Sequence, residues 1–244
     1  MSLILCVSAV SAENSTDVGV SDAQDTAQED VAASTSAPTT TSSATKQVKK
    51  IDADVDADDK VVVYKKNSYF KVKVKDDDTS KPLKKFNIKL KIYTKSKSKT
   101  YTIKTNSKGI AKFNTKNLKL GDHKVVITSA ESSSKFKETA HIFVGKKHTT
   151  TLKPGASKKL RNKDVLRVKI KNDDDEKEIK VCFNGKAKKT NVMKAVFYLK
   201  NKATGKIVKK VDYSDFDDGK WEYPDKDYSN RYVAIKVRII YVTI

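Results

Sequence analysis

Apolar and charged residues alternate with a period of two over most of the chain after Lys60. Phe70, Val72 and Val74 are separated by single lysines, and Ile88, Leu90 and Ile92 repeat the pattern. Shorter runs of the same kind follow at Tyr101–Ile103, Val125–Ile127 and Ala140–Val144. Because successive side chains of a strand point to opposite faces, this spacing predicts half-buried antiparallel strands with one charged, solvated face.

Turn residues separate these strands at short intervals. They include the aspartates 76–78, the pair Lys81-Pro82, the run Asn106–Gly109 and the run Leu120–Asp122. We find no convincing helical stripe in any window of about eleven residues. Short strands broken by turns every eight to twelve residues or so indicate an all-β sandwich.

A repeat divides this β-rich region into two parts. The nine residues Phe70–Asp78 match Leu166–Asp174 at an offset of 96 residues. About a hundred residues is the length of one immunoglobulin-like (Ig-like) module. We therefore predict one β-sandwich over 60–153 and a second, divergent or truncated one over 160–244, with the Pro- and Gly-containing segment Thr151–Ala156 at the junction.

The first 59 residues differ in composition from the remainder. Residues 1–12 are apolar and end in Val10-Ser11-Ala12, which is typical of the second half of a secretory signal peptide. Ser and Thr fill 13 of the 33 positions 13–45. Residues 1–59 carry 11 acidic and three basic side chains, against 19 acidic and 48 basic ones in 60–244. We therefore predict a partial signal peptide over 1–12 and a disordered, acidic linker over 13–59.

Three segments resemble the Ig-like repeats of adhesin-like surface proteins in methanogenic archaea. They are the predicted strand Tyr69–Val74 together with Lys81-Pro82-Leu83 after it, the turn Thr105–Ala111, and the run Leu120–Val125. The resemblance covers 60–153 well and 160–244 weakly. It implies sandwich modules, a position at the cell surface and an adhesive or structural role, and it supplies no catalytic residues.

No motif in the sequence indicates catalysis, a cofactor or a bound metal. His123, His141 and His148 lack the spacing of a metal pair, and His148 falls in a turn-rich stretch beyond the predicted strand. Cys182 stands inside a strand-like run, where a small buried side chain is the expected role. Asp215–Gly219 fits a polar hairpin turn as well as a loose cation loop. We expect no catalytic, cofactor-binding or metal-binding residues, and the ligand-binding residues stay unknown.

The predicted function is therefore non-catalytic binding outside the cell. The expected partners are cell-wall or surface glycans, or proteins on a host or neighbouring cell, and the sequence holds no apolar span that predicts a transmembrane anchor. The alternative is a polybasic binder of nucleic acid or another polyanion. Only four of the 51 basic residues are arginines, which disfavours nucleic acid as the partner.

The C-terminal strand carries a separate prediction. Ile235–Val237 continues into an apolar run up to Ile244, and no later strand remains to pair with it. Either the second module has a shorter topology, or the sequence lacks its last strand, and a missing strand would leave an apolar edge open. A fragment of residues 160–244 is therefore expected to self-associate, whereas 60–153 is expected to fold as a monomer.

Overall fold

The structure, a computed structural model, describes residues 50–244 except 96, 173–175, 186 and 188. The predicted signal peptide at 1–12 and the linker residues up to 49 lie outside the described residues. All the described residues belong to one compact unit. Within the described residues, no helix is long and apolar enough to cross a membrane.

The prediction of an all-β protein is confirmed, because the only helical element described is a single 3₁₀ turn at Thr115–Asn117. The predicted alternating segments all lie in strands, and their inward apolar side chains are buried, except those of Tyr101 and Ile103, which are partly buried. The strands are β1 Ala53–Asp56, β2 Lys60–Val63, β3 Tyr69–Asp76, β4 Asn87–Thr94, β5 Lys97–Lys104, β6 Ile110–Asn114, β7 Gly121–Ser129, β8 Lys137–Leu152, β9 Ser157–Lys159, β10 Val165–Asn172, β11 Glu176–Phe183, β12 Thr190–Asn201, β13 Ile207–Tyr213, β14 Asp215–Asp217, β15 Lys220–Glu222, β16 Asp225–Ser229 and β17 Tyr232–Thr243.

The first sandwich has the strand neighbours of the immunoglobulin fold. One sheet has the order β1-β3-β6, and the facing layer runs β8-β7-β4-β5 with β2 added parallel to β8. These correspond to strands A, B and E of an Ig domain facing G, F, C and C′. Phe70, Val72, Ile88, Leu90 and Ile142 fill the core between the layers without solvent exposure.

The second sandwich has a different strand order. The sheet β9-β10-β11-β16 faces β13-β12-β17-β8, and the hairpin of β10 and β11 lies within one sheet. Leu166 and Ile179 of the small sheet pack with Phe197, Leu199 and Ile239 of the large one. The two copies of the sequence repeat lie in β3 and β10. Each of these is an interior strand in the smaller sheet of its sandwich.

Strand β8 belongs to both sandwiches. Lys137–Val144 pairs with β7, and Lys146–Leu152 pairs with β17, so one eight-stranded sheet runs through both halves. The predicted strand Ala140–Val144 therefore extends to Leu152, and His148 lies inside it rather than in a turn. The prediction of an open edge at the C-terminal strand is wrong, because β8 covers one edge of β17 and β12 the other.

Strand β1 lies within the segment assigned to the linker. Ala53, Val55 and Ala57 alternate with aspartates and pack against the first core. The linker prediction over 13–59 is therefore too long at its C-terminal end. The acidic charge of the run masked its period-two apolar face.

A hairpin of the second sandwich lies against the outer face of the first. β14 and β15 are joined by Asp218 and Gly219, both at positive φ, which is typical of a two-residue hairpin turn. This confirms the hairpin interpretation of Asp215–Gly219. The Phe216 ring stacks on His141 at 3.6 Å between centroids, and Trp221 Nε1 donates a hydrogen bond to Asp122 at 3.1 Å. The hairpin thus fixes the two sandwiches to each other.

Candidate anion-binding pocket

A cavity of about 620 Å³ lies where β8, β9 and β17 meet. His148 and Thr149 come from β8, Lys158 and Lys159 from β9, and Tyr241 from β17; Arg161, Asn162, Leu160, Thr243 and Ile244 complete the lining. Small-molecule sites in proteins commonly measure about 300–1,000 Å³. We call this cavity the basic pocket.

One wall of the basic pocket is aromatic. His148 and Tyr241 are register partners across β8 and β17, and their rings stack at 5.2 Å with an interplanar angle of 24°. His148 Nε2 lies 3.0 Å from the Thr243 hydroxyl, which orients the imidazole. Tyr241 is buried and His148 is exposed. The stack therefore presents an imidazole face that a flat ligand can reach.

The opposite wall is cationic and is held by a tight turn. Leu160 is buried, its N–H donates to the carbonyl of Asp164 at 2.7 Å, and the N–H of Lys163 donates back to the Leu160 carbonyl at 3.0 Å. Asn162 donates from Nδ2 to the hydroxyl of Thr190 at 2.7 Å. This turn places Arg161 at the pocket while its neighbours are fixed by hydrogen bonds.

The charges of the pocket favour an anion. Lys158 donates from Nζ to the Thr150 hydroxyl at 3.2 Å, which directs its side chain along the pocket wall. Burial raises the pKa of the Tyr241 phenol, whereas the positive charge of Arg161 lowers it, so the guanidinium acts on the ring electrostatically. None of the lining residues is acidic.

A second cavity of about 700 Å³ has a mixed lining and makes a weaker site. Asp58, Asp59, Asp212 and Asp215 face lysines across it. Desolvation by burial raises the pKa of Asp59 to about 6, and the charge of Asp215 adds to that rise. The backbone N–H of His141 donates to the Asp59 carboxylate and opposes the shift. These acids would repel an anion and leave no continuous cationic wall.

The histidines and the cysteine noted in the sequence do not form a common site. His123 is buried, and its ring nitrogens lie 3.1 Å from the Tyr93 carbonyl and 2.8 Å from the Lys119 carbonyl. His141 lies under the β14–β15 hairpin, and Cys182 is half-buried in β11. No group of three or more metal-ligating side chains within the described part of the chain has metal-site geometry. Of these residues, only His148 lines the basic pocket.

The sequence did not single out Lys158, Arg161 or Tyr241. Lysines are so frequent in the sequence that Lys158 does not stand out. Tyr241 lies about 80 residues from Arg161 along the chain, so nothing links the two in the sequence. The rarity of arginine was the available clue, because Arg161 is one of only four.

Comparisons with known proteins leave the family open. No protein-family model matches the sequence, and no curated protein matches it. The FN1–FN3 domains of chicken CNTN1 share 10% identity at a TM-score of 0.29, covering 77% of this chain and 67% of that one. A putative membrane anchored protein from Corynebacterium diphtheriae shares 9% at 0.29, covering 78% and 50%. A mutant Salmonella alpha-2-macroglobulin shares 8% at 0.29, covering 80% and 15%.

This chain therefore spans half or less of the last two proteins. The TM-scores are too low to support an argument from overall superposition. The Ig-like assignment of the first sandwich rests instead on its strand pairing.

Proposed function

We propose that the protein is a secreted, cell-surface Ig-like protein with an adhesive or structural role. It binds cell-wall polymer or surface glycan without catalysis, and the basic pocket receives an anionic sugar unit. The resemblance to archaeal adhesin-like repeats and the Ig-like strand order of the first sandwich support the surface role. Protein ligands on a host or neighbouring cell fit the same role.

The observation that carries this proposal is the pairing of an aromatic wall with a cationic wall. A sugar ring has an apolar face that can lie on an aromatic ring such as His148, while a carboxylate on the sugar accepts hydrogen bonds from Arg161 and Lys158. Hydrogen bonds to charged groups contribute about 1.5–3 kcal/mol each. Thr243 adds a hydroxyl partner for the sugar oxygens.

The test compares two trisaccharides that differ in one group on each sugar unit. Binding of a trigalacturonate and of the neutral galactotriose is measured by isothermal titration calorimetry in 0.1 M salt. We expect the acidic sugar to bind at least about tenfold more tightly than the neutral one, because only its carboxylates can pair with the lysines and the arginine.

Arg161→Gln and Lys158→Gln each remove one positive charge from the pocket, and Lys112→Gln removes one from an exposed position on β6. Each pocket substitution should weaken trigalacturonate binding about tenfold, and the β6 control should change it less than about twofold. Equal losses in all three variants would show that net charge alone attracts the sugar, and the pocket proposal would be wrong.

The alternative function is binding of nucleic acid or another polyanion. A protein that recognises phosphate backbones should hold duplex DNA more tightly than isolated cell wall in 0.1 M salt and release it steeply by 0.5 M. Retention on cell wall that persists where DNA has been released would favour the wall polymer. The surface location is tested separately by protease accessibility of the native protein on intact cells.

A further inference from the structure

The large sheet has an exposed face on the side away from the second core. Ala195, Phe197 and Leu199 of β12 point into the core, so Val196 and Tyr198 lie on the opposite face of the strand. Strand register places the neighbours of these residues on the same face. We call five of them, Lys194, Tyr198, Lys209, Tyr213 and Lys236, the tyrosine–lysine face.

Three ammonium groups on this face are held over two tyrosine rings. Lys236 Nζ lies 4.9 Å and Lys209 Nζ lies 5.7 Å from the centroid of Tyr198. Both lysines are register partners of Tyr198, one on β17 and one on β13. Lys194 Nζ lies 6.0 Å from the centroid of its own register partner, Tyr213. These contacts restrict the lysine side chains and fix where their charges lie.

Away from the Tyr213 end, which borders the second cavity and its aspartates, the charges on this face are of one sign. Arg238 is exposed on it as the register partner of Val196, between the two tyrosine positions. The same side of the strand segments Lys147–Leu152, Lys194–Lys200, Ile207–Tyr213 and Lys236–Ile240 carries no acidic residue. Lys194 and Tyr198 are four residues apart, about 13 Å along a strand. The face therefore presents ordered cationic groups over a length that suits several units of a linear chain.

From these contacts we infer a second binding site, for a linear carboxylated polysaccharide, on the tyrosine–lysine face. The basic pocket adjoins Tyr241, which packs with the second core, whereas Tyr198 lies on the other side of the same sheet. The protein is then bivalent and links two polymer chains through the two faces of one sheet. The inference does not depend on the pocket, since the residues of the two sites do not overlap.

The first experiment holds net charge constant. Binding of long polygalacturonate is measured in the full chain carrying Arg161→Gln, so that the pocket contributes little. In that background Tyr198→Leu removes the ring under two ammonium groups, and Tyr198→Phe keeps it. We expect Tyr198→Leu to weaken binding about threefold and Tyr198→Phe to leave it unchanged. Tyr93→Leu is the matched control, because Lys91 Nζ lies 5.2 Å from that ring on β4.

The second experiment removes the charges in pairs. Lys209→Gln with Lys236→Gln should weaken polymer binding about tenfold, and the charge-matched pair Lys89→Gln with Lys112→Gln about twofold or less. Equal losses for both pairs, or equal losses for Tyr198→Leu and Tyr93→Leu, would overturn the inference. Thermal unfolding of each variant verifies that the sheet is intact.

Bivalency has its own measurement. Light scattering of wild-type protein mixed with polygalacturonate should rise as chains are linked, and it should fall in both the Arg161→Gln and the Lys209→Gln/Lys236→Gln proteins. Linking that survives loss of the face overturns the second site. A different combination of results would refute only the basic pocket. In that case trigalacturonate and galactotriose bind equally well, while the substitutions on the tyrosine–lysine face still weaken polymer binding.

Discussion

A single methyl group at position 145 should destabilise the junction between the two sandwiches. Gly145 lies in β8, between the segment that pairs with β7 and the segment that pairs with β17. A Cβ atom at this position would lie 2.7 Å from Val242 Cβ and 2.9 Å from the carbonyl oxygen of Thr243. Ordinary carbon–carbon contacts are about 3.5–4.0 Å. The two strands would therefore have to separate by about 1 Å.

The magnitude follows from two opposing effects. Overpacking of this kind costs about 1–3 kcal/mol, and the atoms in the way are strand atoms that cannot rotate aside. Replacing Gly by Ala also restricts the unfolded chain, which returns about 0.4–1 kcal/mol. We expect Gly145→Ala to lower the free energy of unfolding by about 1–2 kcal/mol. For a unit of this size that corresponds to a fall in Tm of about 3–6 °C.

The fluorescence of Trp221 reports on unfolding at the junction between the two sandwiches. Trp221 is the only tryptophan, and it packs edge-on against Phe143 at the junction, with ring centroids 6.3 Å apart. Urea unfolding followed by its fluorescence compares the wild type, Gly145→Ala and the control Lys147→Ala, which alters an exposed neighbour on the same strand. If Gly145→Ala were as stable as the control, the close approach of β8 and β17 would not exist as described.

Two further predictions concern charge and the shared strand. Because the pKa of Asp59 is raised to about 6 in the folded protein, the folded state binds more protons than the unfolded state between about pH 4 and 6. The free energy of unfolding should therefore fall as pH rises through that range. Asp59→Asn should remove this fall and stabilise the protein at pH 7, whereas the control Asp78→Asn, in an exposed turn, should do neither. Urea titrations at pH 4.5 and 7 measure both effects. A fragment of residues 146–244 should unfold cooperatively, whereas a fragment of residues 160–244 should sediment as aggregates. The reason is that only the longer fragment contains the part of β8 that covers β17. A monomeric, stable 160–244 fragment would contradict this role for β8.

The local pattern was sufficient to predict the strands that bury alternate side chains. β3 and β4 follow the alternation of apolar residues and lysines, and every apolar residue in them between Phe70 and Ile92 that the pattern placed inward is buried. Here side-chain burial and strand periodicity agree, so the sequence carries the information locally.

The second half of β8 could not be predicted in this way. Lys146–Thr151 consists of lysines, a histidine and threonines, and it shows no apolar alternation. It is a strand because β17, some 90 residues later, provides its hydrogen-bond partners. The basic pocket depends on the same distant pairing, which brings His148 to Tyr241. The register between β8 and β17 cannot be inferred from one sequence. The fold class could therefore be predicted, whereas the basic pocket could not.

The central claim is that an anionic sugar binds in the basic pocket rather than over the whole cationic surface. A ¹H–¹⁵N correlation spectrum recorded during titration with trigalacturonate in 0.15 M salt tests this claim most directly. We predict saturable shifts of the residues around His148, Lys158–Asn162 and Tyr241, with any other saturable shifts limited to the tyrosine–lysine face. Shifts of similar size on the lysine-rich strands β3 and β4, without saturation, would contradict it.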